Sequence, residues 1–245
     1  MPEWGIDSVR FSVFTDPNFV VPPTLWRDCV GDEPETSTYQ RANATKVEVG
    51  PFAEGRLTLQ VQPMRVDWVH EPLVSLGQQG VSVLGPFPDA ADPLLDLSRR
   101  WASSNSFPGT PRIALGLVVS SSTTDRASGY RELANLIEGV PTNPEASDFM
   151  YQVNIPRTAH VDIAGLKVNR LSKWGVALIR QFVVAGTAAP TTQVVAPDIH
   201  CLRLELDINT NPDFEGLLPR RRVTAIIDDL FDGAKEICEG RINVR

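Results

Sequence analysis

The residues here that could do chemistry are three histidines and their acidic neighbours. They are His70-Glu71, His160 with Asp162, and Asp198 with His200-Cys201. Brought to one point, His160, Asp162 and His200 would make a metal site or an acid–base pair. Their spacing does not require it, because there is no HExxH and no Cys/His pair at ligand spacing. Nucleophile signatures are absent too: no GxSxG, Walker A loop, GxGxxG or kinase motif occurs. Asp207, Asp213 and Glu215 form one acidic cluster, and Asp228, Asp229 and Asp232 form a second. Neither has the ordered spacing of a dedicated cation site. No catalytic residue, metal or cofactor is therefore assigned, with His160, Asp162 and His200 kept as candidates.

Two features point to binding. Arg220, Arg221 and Arg222 stand at the start of an expected helix, where positive charge opposes the helix dipole. Either they pair with Asp213, Glu215 or acids one turn on, or they contact an anion, nucleic acid or acidic partner, which the bidentate arginine fork suits. Arg157, Arg170 and Arg180 are further cations that could lie nearby. Trp4, Phe19, Trp26, Phe107 and Trp174 fall near turns or termini. Trp174, in Ser-Lys-Trp-Gly, is expected at a hairpin tip as an interface anchor, core packing being the other reading.

The elements that position these residues begin with Arg56–Glu71, a β-hairpin turning at Pro63-Met64. That register sets Gln62 against Arg65, Val61 against Val66, Gln60 against Asp67 and Leu59 against Trp68, with apolar pairs on one face. Val9–Thr15, Lys46–Val49, Gly80–Leu84, Arg112–Ser120 and Phe149–Ile155 are expected strands. Leu166–Leu171 and Val176–Val184 are read as a second hairpin, and His200–Ile208 alternates cleanly. Helices are expected after Thr24, from Asp92-Pro93, from Asp125 to Glu138, and from about Pro219 to Glu239. Asp32–Thr45 reads as a surface loop and Ala185–Pro197 as another. This is an α+β architecture of antiparallel sheets with amphipathic helices on one face. The pattern restarts after Ser103–Pro111, suggesting two related halves, 1–104 and 111–245, within one unit.

The string LTLQVQPMRVDWV resembles the QVQP hairpin of a sporadically distributed family of uncharacterised bacterial proteins of about this length. GYRELANLIEGVPTNPEASDFMYQVNIPR resembles that family's mid-chain pattern, and LELDIN with VTAIIDDLFDGAKEICEG resembles its last strand and helix. Met64 stands where the family more often has Asp, and Cys238 where Phe is common. The resemblance implies a soluble bacterial α+β protein and no particular activity.

Bulk properties narrow the function classes. The net charge of −7 disfavours a general nucleic-acid binder, which needs a basic surface. Cys29, Cys201 and Cys238 are odd in number and widely spaced, as reduced thiols of a cytoplasmic protein would be. No stretch is long and apolar enough to span a membrane. The expectation is a non-enzymatic binding or assembly module that meets a protein partner or its own copies through Trp174 and Arg220–Arg222. The alternatives are a metal-dependent hydrolase or nuclease, and a nucleic-acid-associated accessory subunit.

Overall fold

The computed structural model describes residues 2–73, 80–137, 139–180, 182–185, 192–195 and 198–241. The opening hairpin forms as the alternation requires. Strands β4 (Gly55–Gln62) and β5 (Arg65–Pro72) pair in the expected register, Leu59 against Trp68 and Gln62 against Arg65. Pro63 supplies the first turn position, and Met64 takes the left-handed conformation (φ 62°) that the second demands.

Around this hairpin runs a ten-stranded antiparallel sheet. Its other strands are β1 (Gly5–Phe14), β2 (Thr36–Gln40), β3 (Thr45–Phe52), β6 (Arg112–Thr123), β7 (Met150–Asn154), β8 (Arg157–Thr158), β9 (Lys167–Ile179) and β12 (Ile199–Thr210). The order is β2-β3-β4-β5-β1-β6-β12-β9-β7, with β8 also on β9. A separate hairpin joins β10 (Phe182–Ala185) to β11 (Thr192–Val195). The main order reads alike from both sides of its centre when β1 is matched with β6, β5 with β12, β4 with β9 and β3 with β7. In each half the first strand pairs with the last, and a helix follows each of these two strands. The sheet crosses the middle of the chain without a break, because β1 and β6 pair directly, Phe11 against Leu115.

All four α-helices pack on one face: α1 (Leu25–Val30), α2 (Asp92–Ser103), α3 (Arg126–Leu136) and α4 (Val223–Cys238). Their apolar stripes meet the even-numbered leucines of β12, Phe11 and Val13 of β1, and Leu57 and Trp68 of the hairpin, all buried. Trp101 of α2 fills the centre, edge-on to Phe11, Trp68 and Phe107. Asp125 caps α3 by accepting a hydrogen bond from the Ser128 amide at 2.7 Å, a favoured N-terminal arrangement.

Five expectations are corrected. Asp32–Thr45 is not wholly loop, since Thr36–Gln40 is edge strand β2, hidden from pattern reading because all five residues are exposed. Gly80–Leu84 is not a strand, although Leu84 and Gly85 hydrogen-bond to Ile6. The expected hairpin at Ser172–Gly175 is the interior of the single strand β9. Arg220–Arg222 form a 3-10 turn ahead of α4, not its first α-helical turn. The expected Ala185–Pro197 loop is not wholly loop either, since Thr192–Val195 is strand β11 and Ala185 ends β10; its other residues lie outside those described.

Candidate functional site

The candidate residues disperse. His160 and His200 lie near opposite ends of β12: His160 follows β8, which pairs beside Val168 and Thr210, while His200 faces Thr123 and Leu178. Ten residues of strand at ~3.3 Å each separate those ends by about 33 Å. Among the described residues no group of three or more His, Cys, Asp or Glu could hold a metal ion. His160 Nδ1 stands 3.3 Å from the buried Asp229 carboxylate, which also accepts from Arg157 at 2.6 Å and from the His160 amide at 2.9 Å. A carboxylate behind an imidazole is part of a general-base arrangement. Among the described residues no hydroxyl or thiol hydrogen-bonds to the exposed ring, however, and the Asp162 side chain is 96% exposed with a 3.6 Å approach to Arg222.

Three further acids are occupied in ion pairs, whereas Asp213 and Glu215 are exposed. Asp228 binds Arg99, Asp232 binds Lys235, and Asp198 takes a two-pronged grip from Arg180 at 3.0 and 3.2 Å. His70 is buried on the helix-covered face, where Nε2 meets the Phe52 carbonyl at 3.1 Å. Burial pushes the Cys29 and Cys238 thiols up to about 12 and Cys201 up to about 11, so none is a ready nucleophile.

Trp174 is corrected outright. It is 1% exposed, lies edge-on to Trp4, and donates its indole N–H to Ser172 Oγ at 3.1 Å. Turn-like neighbours suggested a tip, but Lys173 and Gly175 point to the opposite face from Trp174, as strand alternation requires. It cannot anchor a partner without leaving the core. Arg220 and Arg221 are exposed and Arg222 is half-buried, and the run is partly engaged: Arg220 donates to the Ser104 carbonyl at the end of α2, and Arg222 approaches Asp162. A cation at that helix C-terminus offsets its unfavourable place ahead of α4. Arg157 and Arg170 lie elsewhere, beneath α4 near Gly233.

The better site is on the open face, which none of the four α-helices covers. Its central trough has a volume of about 460 Å³ and extends from Val69 on β5 across to Gln152 on β7. Val69, Val118 and Leu171 supply apolar floor, while Glu71, Lys173, Glu205 and Asp207 supply charge. Most of that charge is already paired. Lys173 binds Glu205 at 3.2 Å, Arg203 binds the same carboxylate at 3.1 Å, and Arg56 stands 3.6 Å from Glu71. Burial acts to raise the pKa of Glu205, yet the hydrogen bonds from Arg203 and Lys173 hold it below its ordinary value. At the trough's margin, burial raises Asp7 despite hydrogen bonds from Ser120 at 2.5 Å and Arg203 at 2.8 Å.

Arg10 is the exception. It projects from β1 over Gly116 of β6, with guanidinium atoms 3.1–3.3 Å from where a Cβ at Gly116 would lie. A Cβ there would push the guanidinium back by a few tenths of an ångström. Arg10 makes no hydrogen bond or ion pair among the described residues, and its Nε is a buried donor without a partner. Such a group is costly to leave unsatisfied. The Nε atoms of Arg157 and Arg170 under α4 also lack a partner, but those guanidinium groups hydrogen-bond through their other nitrogens, and Arg10 does not. Sequence reading missed it, although a glycine inside the apolar strand RIALGLVVS signals a close approach. A larger apolar cleft of about 590 Å³ beside Trp4, Phe87 and Cys238 holds no buried polar side-chain atom without a partner; its Lys235 and Glu239 are paired and its Glu3 is exposed.

A scan against protein-family models and a search of the curated proteins return no match for this chain. Among the described residues no helix is long and apolar enough to cross a membrane.

Proposed function

We propose that the chain is a non-enzymatic binding module whose working surface is the open face of the sheet, with Arg10 as its anchor. One observation carries this reading: a guanidinium without a partner, seated on a glycine inside a half-buried trough. The partner is a protein segment presenting one carboxylate to Arg10 and a basic or polar residue to Glu71 or Asp207. The mixed charge of the trough suits such a segment better than a nucleic-acid backbone, which three lining carboxylates and a net charge of −7 would repel. The bacterial family resemblance and the three unpaired, unreactive thiols support work in a bacterial cytoplasm, as a subunit of a larger assembly.

The test places a photo-crosslinking residue at Leu171, in the trough floor, and identifies the captured segment by mass spectrometry. The captured partner, purified, is then titrated against the wild-type chain, Arg10→Ala and Gly116→Ala. Loss of a charged hydrogen bond weakens binding about 10- to 100-fold for Arg10→Ala. Gly116→Ala, which obliges the guanidinium to move, weakens it in the same direction. Affinity indifferent to both substitutions, or no adduct from Leu171, overturns the reading.

A further inference from the structure

We infer that β2 is a self-pairing edge, joining two copies of this chain antiparallel about a two-fold axis at Thr38. Strand β2 ends the sheet, and among the described residues it pairs with β3 alone. All five of its residues are exposed, including Tyr39 at 61%. Soluble proteins blunt such an edge with charge, proline, a bulge or a covering element. Thr36-Ser37-Thr38-Tyr39-Gln40 contains no charge and no proline, its register with β3 is unbroken, and no described element lies along its outer side.

The flanking charges select the occupant. A two-fold at Thr38 sets each residue against the one equally far on the other side. Ser37 then faces Tyr39 and Thr36 faces Gln40. One step beyond the strand, Glu35 of each copy faces Arg41 of the other. Both residues are exposed, and neither has an ion pair among the described residues. The edge is therefore complementary to itself, in register and in charge, and opposite charges across strands favour that register. The pairing lays the two sheets edge to edge with both open faces on the same side. Two Arg10 troughs then face one direction, so a partner with two segments could occupy both. The inference is independent of what the trough binds.

The experiment uses the full chain with Thr38→Cys. Residues on the axis come within the Cα separation that a disulfide spans. Cys201 and Cys238 are buried, and the unsubstituted chain measures any background from the half-buried Cys29. Mild oxidation of Thr38→Cys is expected to give a covalent dimer, whereas Thr36→Cys, facing Gln40 of the second copy, stays monomeric. Sedimentation equilibrium of the unoxidised protein gives the second reading. Arg41→Glu weakens self-association about tenfold, and adding Glu35→Arg to it restores the association. Arg10→Ala leaves self-association unchanged. A chain that stays monomeric to its solubility limit, equal crosslinking from both cysteine positions, or a charge swap that recovers nothing overturns the inference.

Discussion

Arg170 and Arg10 occupy opposite faces of one sheet, and each packs its guanidinium against a glycine. Arg170 projects from β9 beneath α4, with Nε 4.0 Å from where a Cβ at Gly233 would lie. It is 2% exposed, approaches Glu236 at 3.2 Å, and donates to the Arg241 carbonyl at 3.2 Å. Burial pulls its pKa below the ordinary arginine value, partly offset by the Glu236 carboxylate. Arg10 is seated more closely on Gly116, at 3.1–3.3 Å, but has none of the four α-helices above it and makes no ion pair among the described residues. On the covered face, then, the charge is committed to holding β9 and α4 together. On the open face the chain fixes a charge in place and leaves it unpaired.

Breaking the covered side should have the largest effect. Arg170→Ala leaves the half-buried Glu236 without its cation and lowers the unfolding free energy by about 3–5 kcal/mol in urea titration. Replacing both partners, Arg170→Met with Glu236→Met, recovers much of that loss. A double variant as unstable as the single would mean that shape, not charge, decides the site. Gly233→Ala should stabilise by about 1 kcal/mol, the helix-propensity difference. A Cβ there meets Arg157 and Ile208 at 3.5 Å, an ordinary contact. A loss of stability would show that Gly233 is a true close-packing point.

His70 gives the covered face a pH signature. Burial lowers its pKa from 6.5, although the hydrogen bond to the Phe52 carbonyl opposes the shift. Between that lowered value and 6.5 the unfolded chain binds more protons than the folded one. Stability is therefore full above 6.5 and falls as pH drops through that window. His70→Gln keeps a donor for Phe52 and should flatten this part of the stability–pH curve, measured by denaturant titration at each pH. An unchanged slope would place the titrating group elsewhere.

What the sequence made legible follows the same division. The β4–β5 register could be read residue by residue, because one face alternates apolar side chains toward a core. The stripes of α2 and α4 were legible for the same reason. Strand β2 was not, because five exposed polar residues leave no periodicity to read. Trp174 misled because Lys173 and Gly175 resemble a turn when they are successive positions of a strand. Arg10 was invisible because having no partner is a property of the folded surroundings. His160 and His200 looked related only until β12 held them at opposite ends. Functional reading was weakest on the open face, where burial imposes no pattern.

The most direct test of the contrast is the unfolding free energy of Arg10→Ala measured beside that of Arg170→Ala. If Arg10 is held for a partner and not for the fold, its loss changes stability by no more than about 0.5 kcal/mol. A loss of several kcal/mol, matching that of Arg170→Ala, would make Arg10 part of the framework and contradict the assignment of the open face to binding.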